Sequence, residues 1–93
     1  MALRQVLFSV VGGPSRDTVE GSANTSQKLH FVCCDEKGDL SEFDLTIGDV
    51  SPLGRGMPEL IFAARDMAGL TWSLTYDPEK GSGDMMRNFG KSG

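Results

Sequence analysis

The side chains with nucleophilic or ligating chemistry fall in one short stretch, at His30, Cys33 and Cys34. A thiol beside an imidazole is the arrangement of a base-activated nucleophile, and it requires the two groups within hydrogen-bond reach. On a strand that requirement fails. His30 and Cys33 are an odd number of positions apart and point to opposite faces. His30 and Cys34 share a face but lie about 13 Å apart along it. Cys33 therefore reads as a small core residue, and His30 as a surface group paired with Asp44. A thiol-dependent enzyme is the least favoured functional reading.

Metal and phosphate chemistry are no better supported. There is one histidine and no Cys-x-x-Cys pair, so zinc-ligand spacing is absent. Asp35-Glu36-Lys37-Gly38-Asp39 has the acidity of a calcium loop without its ladder of alternating ligands or its distal glutamate. Gly90-Lys91-Ser92 looks like the end of a phosphate loop, but position 85 is Met where that loop needs Gly. No catalytic residue, metal ligand or cofactor is expected.

The charge distribution is more informative. The net charge is −4. Residues 28–50 hold Asp35, Glu36, Asp39, Glu42, Asp44 and Asp49 against Lys28 and Lys37, and the rest of the chain is balanced. The whole net charge is thus local. Phosphate affinity needs clustered Lys and Arg, and the basic residues outside this segment are scattered, so direct nucleic-acid binding is not expected. No apolar run approaches the roughly 18 residues of a membrane helix. Adjacent cysteines point to opposite faces of a strand and would bond only across a strained turn. Two reduced thiols and no export signal lead to the expectation of a cytoplasmic protein.

These groups must be positioned by a small number of elements. Residues 3–11 alternate as a strand with Val6, Phe8 and Val10 on one face. Residues 12–27 are polar, rich in Gly, Ser, Thr and Asn, and read as a mobile loop. Residues 28–34 and 39–47 form a hairpin. Asp35 and Gly38 bracket a type I turn, and Gly38 takes the left-handed bulge position. That turn sets Asp35 opposite Asp39. Leu29, Phe31 and Cys33 then face Leu45, Phe43 and Ser41 on the inner side. Lys28, His30, Val32 and Cys34 face Thr46, Asp44, Glu42 and Leu40 on the outer side.

Residues 58–68 fit two periods. As a helix they place Met57, Leu60, Ile61, Ala64, Met67 and Ala68 on one stripe, with Pro58 at the start and Gly69 past the end. As a strand they pair Leu60, Phe62 and Ala64 with Tyr76, Leu74 and Trp72. The start and stop signals favour the helix. Residues 70–76 alternate as a strand, residues 84–89 return as a short edge strand, and residues 90–93 form a frayed tail.

The expected fold is one α+β domain over 1–93, a small antiparallel sheet in the order β-β-β-α-β-β with one helix packed on it. An all-β meander or small barrel is the alternative. The expected function is a protein-binding module of inhibitor, antidote or anti-defence type. It would dock a basic partner surface through Asp35, Glu36, Asp39, Glu42, Asp44 and His30. A structural subunit that self-associates through Met57, Met67, Met85, Met86 and Phe89 is the second reading.

Overall fold

Six strands and one helix make up the residues described by the computed structural model, which are 5–52 and 56–88. In chain order they are β1 (Gln5–Gly12), α1 (Arg16–Thr25), β2 (Lys28–Cys34), β3 (Leu40–Pro52), β4 (Leu60–Arg65), β5 (Thr71–Asp77) and β6 (Ser82–Asn88). Each strand pairs antiparallel with the next, and β6 returns to pair with β1, which closes a barrel. The small barrel replaces the helix-on-sheet arrangement as the architecture.

Three sequence expectations are corrected. The helix expected at 58–68 is strand β4. Its residues alternate buried and exposed, and Leu60, Phe62 and Ala64 face Tyr76, Leu74 and Trp72. The polar stretch 12–27, expected as a loop, carries helix α1. Ser15 caps it by accepting from the Thr18 N–H, and Val19 and Ser22 are its buried residues. The edge strand expected at 84–89 is β6, which is paired on both sides, with β1 and with β5, while Phe89 lies outside the described residues. The tail expected at 90–93 lies outside the described residues.

The β2–β3 hairpin has the register that its turn dictates, from Lys28 opposite Thr46 to Cys34 opposite Leu40. The Asp35 N–H donates to the Asp39 carbonyl at 3.0 Å, and Gly38 takes φ +90°. One carboxylate oxygen of Asp35 accepts from the N–H groups of Lys37 and Asp39, both at 2.9 Å. The β4–β5 turn repeats this design. Asp66 accepts from the N–H groups of Ala68 and Leu70 at 2.9 Å, and its other oxygen accepts from Trp72 Nε1. Burial pushes the Asp66 carboxyl up, but these hydrogen bonds and the charge of Arg87 bring it below the usual carboxylate range.

A six-stranded barrel is too narrow for a lumen, and its inward side chains fill it. Phe31, Leu45, Leu60, Leu74, Tyr76 and Met85 have no exposed surface. Phe31 packs edge-on against Tyr76 with centroids 5.6 Å apart and beside Phe62 at 6.3 Å. Toward the end of the barrel that carries the 35–39 and 66–70 turns, Phe8, Phe43 and Trp72 meet pairwise at 5.2–5.6 Å. The helix lies at the other end, where Tyr76 donates its hydroxyl to the Pro14 carbonyl at 2.9 Å. Arg16 adds a hydrogen bond from its guanidinium to the Pro58 carbonyl, which ties the helix to the segment before β4.

Strand β3 is the longest, at 13 residues, and changes partner along its length. It pairs with β2 through Thr46 and with β4 from Thr46 onward. A bulge at Gly48 and Asp49 marks the second half. Helix α1 packs beside that half, where Glu20, Ala23 and Asn24 face Asp49, Val50 and Ser51. No helix among the described residues is long and apolar enough to cross a membrane.

Candidate functional site

Because the interior is filled, any partner meets the barrel on its wall or at its ends. The outer wall of the β2–β3 hairpin gathers three of the six residues that the sequence singled out. His30 stands directly across from Asp44 and diagonal to Glu42. Its Nδ1 is 2.8 Å from Asp44 Oδ1, and its Nε2 is 2.6 Å from Glu42 Oε1. A neutral imidazole has one N–H, so only the protonated ring donates to both carboxylates at once. The hydrogen bond to Asp44, then that to Glu42, hold the His30 pKa above its ordinary value. The two carboxylates take opposite nitrogens and do not converge on a point. Among the described residues no group of three His, Cys, Asp or Glu side chains is placed to hold a metal ion.

This triad is open to solvent, with side-chain exposures of 52% for His30, 68% for Glu42 and 54% for Asp44. Each carboxylate uses one oxygen on the ring and keeps the other free to accept. Its pH response follows directly. The folded-state pKa lies above the unfolded one, so the stability that the pair interactions add is complete below the unfolded pKa. It is lost as pH rises through the folded value. An NMR titration of the His30 ring should therefore show a midpoint above 6.5, and the double substitution Glu42→Gln with Asp44→Asn should return it there. A midpoint unchanged by that pair of substitutions would remove the carboxylates as the cause.

The other three predicted residues lie elsewhere. Asp35 is committed to its turn, where it accepts from two backbone N–H groups. Glu36 and Asp39 are exposed at the tip, beside Lys37. The tip borders a shallow groove lined also by Val6 and Leu7 of β1. The acidic segment is therefore split between a wall cluster and a tip cluster, with Asp49 apart from both next to the helix.

The wall also carries positive charge that the linear sequence hid. Thr46 lies between Lys28 on β2 and Arg65 on β4, and both basic residues are exposed. Arg65 falls within the expected helix, which hides its place beside the hairpin. The strand reading of 58–68 was the signal that would have placed it. The wall thus alternates a basic row with an acidic pair.

The thiols take separate roles. Cys33 is fully buried, its Sγ 3.9 Å from Met85 Sδ, and burial pushes its thiol up to about 11. A thiol so raised is a poor nucleophile near neutral pH. Cys34 is half-buried on the outer face and donates to the Asp35 carbonyl. Of the methionines expected to form an assembly surface, Met85 is core and Met86 is half-buried, while Met57 and Met67 are exposed in the segments before and after β4. No protein-family model, curated protein or solved structure matches this chain.

Proposed function

We propose that the protein is a protein-binding module that docks a basic partner surface through the outer wall and tip of the β2–β3 hairpin, in the manner of an inhibitor, antidote or anti-defence protein. The observation that carries this reading is the wall cluster itself. Two carboxylates stand side by side on a register-fixed strand, each with a free oxygen, on a barrel whose interior is occupied by its own side chains. Sites on rigid strands hold their geometry better than sites on loops. Lys28 and Arg65 border the pair, so the partner must present its positive groups in register with Glu42 and Asp44. That requirement gives specificity more than affinity. The burial of Cys33 weakens a thiol mechanism built on that residue, and the separation of Met57 from Met67 along the chain by strand β4 weakens a single methionine-rich assembly surface.

The test is charge reversal. Glu42→Lys with Asp44→Lys should weaken capture of partners from the native source by about tenfold or more, because like charges then meet across the interface. The wild-type interaction should weaken as salt rises. Equal recovery by the wild-type and reversed proteins at low and moderate salt would refute the proposal.

A further inference from the structure

In an antiparallel ladder, residues directly opposite alternate between bonded and non-bonded pairs. The Asp35–Asp39 hydrogen bond fixes the phase in the hairpin. Bonded pairs follow at Cys33/Ser41, Phe31/Phe43 and Leu29/Leu45. The N–H and C=O groups of Leu40, Glu42, Asp44 and Thr46 therefore point away from β2, toward the β4 side. Thr46 meets Arg65 there. Strand β4 then ends at Arg65 and turns back through Asp66 and Gly69. Among the described residues no strand continues the ladder alongside positions 40–44. The two halves of β3 thus differ. The second half is flanked by β4 and helix α1, while the first half is flanked by β2 alone.

From this we infer that the open edge of β3 at residues 40–45 accepts an extended basic segment of a partner protein as an added antiparallel strand. The inference rests on the docking proposal above and gives its mode of binding. Edge strands present a row of donors and acceptors that template another chain, and strand addition is a recurrent way to bind an extended peptide. About 20 Å of edge is available at the usual rise per residue. The side chains choose the occupant. Leu40, Glu42 and Asp44 face outward, with Leu40 exposed by 66%. Phe43 faces the interior side and packs on Trp72. An incoming strand would set outward Lys or Arg residues beside Glu42 and Asp44. An apolar residue would sit beside Leu40, and another would pack toward Phe43. A second copy of this chain fits poorly, because two-fold pairing centred on Glu42 sets Glu42 against Glu42, and like charges directly opposite repel.

The probe is a synthetic hexapeptide of alternating Lys and Val, together with the same peptide N-methylated at alternate backbone nitrogens, titrated into the full chain and followed by NMR. In the free protein the amides of Leu40, Glu42 and Asp44 should exchange rapidly, while those of Ser41 and Phe43 are protected. Adding the peptide should shift and protect the first set, and N-methylation on the edge-facing register should weaken binding about tenfold, as expected for lost backbone hydrogen bonds. Leu40→Pro removes one outward N–H and keeps both carboxylates, and proline is tolerated on an edge strand. It should reduce peptide binding by a similar factor. Slow exchange of the three amides in the free chain would overturn the inference, because the edge would then already be covered. Undiminished binding of the N-methylated peptide, or wild-type binding by Leu40→Pro, would also overturn it. If such binding were still lost on reversing Glu42 and Asp44, the docking proposal would survive without strand addition. If the charge reversal had no effect either, both would fail.

Discussion

Phe31→Ala should destabilise the barrel by about 3–5 kcal/mol, the range for truncating a fully buried aromatic side chain. The ring has no exposed surface and touches Phe62 and Tyr76. Those two rings have little freedom to collapse into the gap, because Phe62 and Tyr76 sit on strands β4 and β5, each paired on both sides. A domain of this size has about 5–15 kcal/mol in total, so the loss is a large share. Urea unfolding should show a lowered midpoint with an unchanged slope. A loss below about 1 kcal/mol would mean that the barrel repacks around the gap, contrary to the tight interior described above.

Gly83→Ala should cost at least as much as typical overpacking, about 3 kcal/mol or more. Gly83 lies opposite Tyr76 on the β5–β6 ladder. A Cβ there would stand 2.2 Å from the Thr75 carbonyl oxygen and 2.7 Å from Tyr76 Cα. Both obstacles are backbone, so no rotamer change relieves them, and the strands themselves must separate. The damage falls on the β5–β6 pairing, beside the seam where β6 meets β1. The measurement is thermal unfolding together with amide exchange of β6. Retention of wild-type Tm would show that the two strands can part locally at little cost.

The hairpin was fully legible because its register depends on four consecutive residues. Asp35 and Gly38 specify the turn, and the turn specifies every pair up to Lys28 and Thr46. The His30–Asp44 contact followed from that register, and the diagonal Glu42 contact needed only a long side chain. The 58–68 segment was not legible by periodicity. Leu60 and Ala64 lie on one face under either period, and Pro58 and Gly69 serve a helix and a strand-turn equally well. The deciding clue was the Asp66 to Gly69 spacing, which repeats that of Asp35 to Gly38 and builds the same turn. Helix α1 leaves little trace in the sequence because Gly, Thr, Ser and Asn are weak helix formers. Only Val19 and Ala23 mark its inner side, and tertiary packing rather than propensity holds it. The open edge of β3 could not be read at all, since it depends on where β4 stops relative to β2.

The pairing of Gln5 with Asn88 has a consequence for how the chain is made. The first of the six strands to be synthesised has the last as its neighbour. Until β6 emerges, both β1 and β5 lack the partner that each has on that side in the closed barrel. Contacts this distant in sequence form slowly, because a long loop must close before they contribute. A translation product stopped near Lys80 would keep those two bare margins permanently. It could complete itself only by borrowing a strand from another molecule, so premature termination would yield sticky, aggregating chains rather than merely weaker ones.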